Sequence, residues 1–158
     1  MSLAVEVSYG TRHPWAPSAR RLAEWARAAG GRRAARAGLA IRVVTPAESR
    51  RLNQAYRGKR RPTNVLSFPA GAAAPAPAAG GPAPLGDLAI CARVVAREAR
   101  EQRKSLAAHW AHMVVHGVLH LQGYDHAGDA DARRMERREK ALLARLGFQD
   151  PYRPGADV

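Results

Sequence analysis

From Leu106 to Leu121 the sequence reads Leu-Ala-Ala-His-Trp-Ala-His-Met-Val-Val-His-Gly-Val-Leu-His-Leu, with no acidic residue, lysine or arginine. Wound as a helix, Leu106, Trp110, Met113, Val114, Val115, Val118, Leu119 and Leu121 cover nearly its whole circumference. A helix that is apolar all round belongs at the centre of a domain, with other elements packed around it. Ser105 can cap its start, and Gly123 can take the left-handed conformation that ends it. The rest of the chain must supply the layers that surround this helix. Strand patterns fall at 3–9, 39–44, 64–69 and 86–91, and helix patterns at 18–29, 46–58, 92–103 and 129–146. Thr45-Pro46-Ala47-Glu48 marks the clearest helix start: Thr45 caps, Pro46 suits the first helical position and Glu48 can return to the cap amide. In the last helix Met135, Leu142, Leu143 and Leu146 face inward. The expectation is an α/β fold (α+β in some schemes): one domain over residues 1–152, with a mixed sheet of about four strands packed with helices. Residues 153–158 form a C-terminal tail. The 158 residues suffice to bury roughly 70% of the unfolded chain's surface without disulfides.

Composition narrows the classes further. Lys and Arg number 26 against 13 Asp and Glu, an excess that suits a polyanionic partner, nucleic acid or an anionic membrane surface. Arginine makes up most of that excess in an alanine-rich chain, a bias that a GC-rich genome produces by itself. The single cysteine, Cys91, excludes an internal disulfide and fits a reducing compartment. No secretory signal pattern opens the chain. Residues 62–86 carry no charge, but their prolines exclude a bilayer helix. Within that stretch, 70–84 contains only Ala, Gly and Pro and is expected to be a mobile loop.

Chemistry concentrates in His116-Gly-Val-Leu-His120-Leu-Gln-Gly123-Tyr-Asp125-His126. Residues four apart on a helix share a face, so His116 and His120 can aim at one point, and the turn at Gly123 can bring back His126 as a third ligand. Three neutral imidazoles with one position left open make the arrangement of a catalytic zinc site, although imidazole also suits nickel, copper and iron. His112 and His109 lie on the same stripe, and His112 with His116 would also make a His-x-x-x-His pair. Only His116 and His120 flank the turn that returns His126, so His112 and His109 are read as second-layer or substrate-facing. Asp125 is read as a turn former or a support for its ligand neighbour.

The spacing His-x-x-x-His-x-x-Gly-x-x-His is also that of metzincin proteases, where a Glu after the first His is the general base. Here Gly117 holds that position, so a peptidase would lack its proton acceptor. Gly117 is read as leaving room beside the metal for a bulkier substrate. Phosphodiester cleavage needs a metal and a cation for the charge developing on phosphate oxygens. Tyr56-Arg57-Gly58-Lys59-Arg60-Arg61 can supply such a cation over a cleft, or be an ordinary solvated basic loop.

Two blocks, Leu52 to Pro69 and His109 to His126, together with Gly86-Asp87-Leu88 and Asp150-Pro151-Tyr152, resemble the YbeY-type rRNA maturation endoribonucleases. The resemblance covers most of residues 39–152 and implies a zinc-dependent, single-strand-specific endoribonuclease with a zincin-like metal-binding helix. It implies action in the cytoplasm on the 3′ end of small-subunit (16S) rRNA and in ribosome quality control. Partners would be single-stranded rRNA and the small ribosomal subunit with its assembly factors, with no membrane. One zinc per chain would sit on His116, His120 and His126, with Arg57 and His116 as the catalytic pair and Lys59, Arg60 and Arg61 on RNA. The chain departs from the family at Arg60, where an acidic residue is usual. Two alternatives accompany this reading: an RNA-binding ribosome-assembly factor with structural zinc, and a metallopeptidase, which Gly117 disfavours.

Overall fold

The computed structural model describes residues 2–70 and 83–153. Residues 71–82 and 154–158, which hold most of the expected Ala/Gly/Pro loop and C-terminal tail, lie outside the described residues. Ala83 and Pro84, read as part of that loop, instead begin a strand, because Ala83 N–H finds an acceptor in the Arg36 carbonyl at 3.2 Å.

In chain order the elements are β1 (Ala4–Tyr9), α1 (Ala19–Gly30), a short 3₁₀ turn (Arg32–Ala34), β2 (Ala37–Val44), α2 (Pro46–Arg57), β3 (Val65–Pro69), β4 (Ala83–Cys91), α3 (Ala92–Glu101), α4 (Leu106–Leu121) and α5 (Asp129–Arg145). The four strands form one mixed sheet in the order β1-β2-β4-β3. β1, β2 and β4 run parallel, and β3 returns antiparallel at the edge. Apart from the 3₁₀ turn, every element coincides with a pattern legible in the sequence to within a few residues.

Strand alternation divides the apolar residues between two faces. Leu39, Ile41 and Val43 of β2 and Leu88 and Ile90 of β4 join the main core with Leu22, Trp25 and Ala26 of α1 and the apolar residues of α4. Val44, Leu66, Ala89 and Cys91 turn to the other face, where Val94 and the half-buried Leu52 of α2 cover them. Trp110, Val114, Val115, Val118 and Leu119 are completely buried, as expected of a central helix.

The caps follow the sequence with one exception. Ser105 accepts the Ala108 N–H at 3.1 Å, and Thr45 accepts the Glu48 N–H at 3.2 Å. Glu48, however, does not return to the cap amide. Its carboxylate takes Arg42 Nε at 2.6 Å, because a charged donor on the neighbouring strand outcompetes a neutral amide.

Candidate functional site

The site begins at the end of α4. Gly123, at φ 97°, makes a turn that an L side chain rarely adopts, with the Gly123 N–H on the His120 carbonyl and the Tyr124 N–H on the Leu119 carbonyl. The chain reverses there, and Asp125 Oδ1 accepts the His126 N–H at 2.7 Å, fixing the residue that follows the turn. His116, His120 and His126 thereby converge, each with a ring nitrogen within 4.8 Å of the others. His116 Nε2 and His120 Nε2 stand 3.1 Å apart. Two nitrogens on one tetrahedral ion, each at about 2.0–2.1 Å, stand about 3.3 Å apart, so this donor set fits a divalent metal. Burial, reinforced by His116 and His126, pushes His120 below the ordinary imidazole value and keeps it neutral, the form that binds metal.

The three histidines line a cleft of about 510 Å³. Its other walls come from β3, which is the sheet edge beside α4, and from the end of α2, which brings in Tyr56 and Arg57. Gly58, at φ 72°, ends α2 directly after Arg57. Arg57 is exposed, and the ring of Tyr56 rests 4.6 Å from that of Phe68 while remaining half open to solvent. Asp125 also lines this cleft. Lys59, Arg60 and Arg61 do not: they are exposed and line a separate depression of about 330 Å³.

Gly117 corrects the sequence reading. It is buried, and a Cβ placed there would stand 2.7 and 3.1 Å from the two δ-methyls of Leu88 and 3.3 Å from Val65 Cγ2. The missing side chain therefore lets α4 lie close on β3 and β4 and opens no space for substrate. Ser67 Oγ, 3.4 Å from the Gly117 carbonyl, marks the same approach. A general-base Glu would have to displace core side chains at this position.

His109 and His112 look away from the cleft and border another cavity, of about 770 Å³, together with Asn64, Glu98 and Tyr152. His109 Nε2 meets Glu98 Oε1 at 2.9 Å, and Asn64 Nδ2 donates to the same carboxylate at 3.0 Å. Burial works to raise the Glu98 carboxyl, but these bonds outweigh it and hold it below the usual range.

His112 Nε2 lies 2.5 Å from Glu139 Oε2. Glu139, only 1% exposed, was missed by sequence reasoning because a Glu among Arg137, Arg138 and Lys140 reads as part of a solvated helix face. Its spacing from Met135, Leu142 and Leu143 placed it on the inward stripe and was the available signal. His112, His116 and Glu139 form a second group close enough to hold an ion.

A family profile described as Endoribonuclease YbeY matches residues 17–147. A protein of Alkalilimnicola ehrlichii named endoribonuclease YbeY is 58% identical over 135 residues, covering 85% of this chain and 79% of its own. One of Xanthomonas axonopodis pv. citri with the same name is 52% identical over 150 residues, covering 95% and 93%. The solution structure of a Thermotoga maritima protein superposes with a TM-score of 0.56 over 94% of this chain and 99% of that one. At 23% identity this last likeness shows the shared fold alone.

Proposed function

The chain belongs to the YbeY family of endoribonucleases, and from that premise we propose that it is a zinc-dependent endoribonuclease specific for single-stranded RNA. Its work would be 3′-end maturation of 16S rRNA and ribosome quality control, carried out in the cytoplasm with the small subunit and its assembly factors. No helix among the described residues is long and apolar enough to cross a membrane. The observation that carries the reading is the single cleft shared by Arg57, His116, His120 and His126.

His116, His120 and His126 would hold one zinc ion, which supplies Lewis-acid charge and acidifies a water molecule. Arg57, at the cleft wall, would lay its planar fork against two oxygens of the scissile phosphate and neutralise the charge that develops there. The half-exposed ring of Tyr56 beside it offers a face on which an unpaired base can stack, which a paired base inside a duplex cannot use. Asp125 holds the His126 backbone and so supports the third ligand. Lys59, Arg60 and Arg61 would attract the RNA backbone outside the cleft. The basic excess of the whole chain works in the same direction.

The test is incubation of metal-replete protein with a single-stranded rRNA fragment and with its duplex, with and without chelator. Cleavage of the single strand alone, lost on chelation and restored by zinc, is expected. Stoichiometric binding without cleavage at catalytic protein:RNA ratios would refute the nuclease in favour of an assembly factor.

A further inference from the structure

Glu139 sits in the middle of α5, on the face that also carries Met135, Leu142 and Leu143, and is 1% exposed. A carboxylate so placed loses its hydration and must recover it from protein donors. It has donors on two sides. His112 Nε2 lies 2.5 Å from Oε2, and since a carboxylate only accepts, the His112 proton is on Nε2. Tyr152, from beyond α5, gives its hydroxyl to Oε1 at 2.9 Å and Oε2 at 3.0 Å. With imidazole and hydroxyl donors gathered on one buried carboxyl, the ionised, purely accepting form is the one this arrangement satisfies.

The third neighbour gives this arrangement its consequence. His116 Nδ1 is buried, has no hydrogen bond, and lies 3.4 Å from Glu139 Oε2. A shift of about 0.5 Å would make that a full charge-assisted hydrogen bond. The opposite nitrogen of the same ring, Nε2, is the one that faces His120. We propose that Glu139 is the positioning residue of the metal centre: it accepts a hydrogen bond from the Nδ1–H of His116, which keeps the proton on Nδ1 and fixes that ring with its Nε2 lone pair toward the ion, while His112 and Tyr152 lock the carboxylate. The inference rests on the metal reading above and adds a residue to it. It also gives His112 a function at one remove, through Glu139. Ligating histidines commonly need such a partner on their other nitrogen, and its loss weakens metal binding by about 10–100-fold.

The experiment measures zinc affinity by chelator competition, zinc stoichiometry, apo-protein melting and the visible spectrum after cobalt substitution. The wild type, Glu139→Gln and Tyr152→Phe are compared. Glu139→Gln is expected to bind one zinc per chain at saturation, about 10–100-fold more weakly than the wild type, with a shifted cobalt spectrum. Tyr152→Phe should show a smaller loss in the same direction. A fall in apo-protein melting with unchanged zinc affinity and cobalt spectrum would overturn the inference, leaving Glu139 structural. Two ions in the wild type and one in Glu139→Gln would also overturn it, since Glu139 would then be a ligand. A wild type that takes up no zinc would instead overturn the metal reading itself. If Glu139→Gln does not fold, Tyr152→Phe decides, and unchanged affinity there counts against the proposal.

Discussion

The contact of Gly117 with Leu88 can be tested by a double-mutant cycle. Adding a methyl at Gly117 gains about 1 kcal/mol of helix propensity. In the native background that methyl would stand 2.7 Å from one Leu88 δ-methyl and 3.1 Å from the other, and Leu88 is 1% exposed in the core. Overpacking of this kind costs about 1–3 kcal/mol. Gly117→Ala should therefore destabilise by about 0–2 kcal/mol net. Leu88→Val removes both δ-methyls at a cost of about 1 kcal/mol and leaves a residue well suited to a strand. In that background the two closest contacts are gone and Val65 Cγ2, at 3.3 Å, is the next, so the overpacking is relieved and Gly117→Ala should approach its propensity gain of about 1 kcal/mol. The two effects differ by about 1–3 kcal/mol, a coupling readable from urea denaturation midpoints of the four proteins. If Gly117→Ala has the same effect in both backgrounds to within about 0.5 kcal/mol, the close approach of α4 to the sheet is wrong.

His120→Ala should lose the bound metal, read by elemental analysis of the purified protein, because its Nε2 faces that of His116 across 3.1 Å; full retention would remove it from the ligand set. Arg57→Glu should abolish RNA cleavage at unchanged zinc content, since it puts a like charge where the phosphate must sit; undiminished turnover would exclude Arg57 from the chemistry. RNA affinity should fall steeply with salt, by roughly 0.7 in logarithmic slope for each phosphate neutralised on a single strand, and a flat response would contradict a charge-driven interface.

Most of the site was legible in the sequence because its geometry is local. His116 and His120 are one helical turn apart, and Gly123 dictates the reversal that returns His126, so a span of eleven residues holds the donor set. The buried α4, the Thr45 and Ser105 caps and the four strands follow from periodicity and short-range hydrogen bonding for the same reason.

Sequence by itself determined which residues can bind a metal together, and which helix must lie at the centre. Tertiary structure alone decided what surrounds them. Arg57 shares a cleft with the histidines only because α2 and α4 are brought together there by the sheet between them. Gly117 is required by Leu88, a residue on another element. Glu139 lies 23 positions beyond His116, on a helix whose other faces are charged, and only the packing of α5 on α4 makes it a buried acceptor. Hydrogen bonds and steric limits within a turn are set by neighbours along the chain. Partnerships between elements depend on how those elements pack, and no local pattern contains that information.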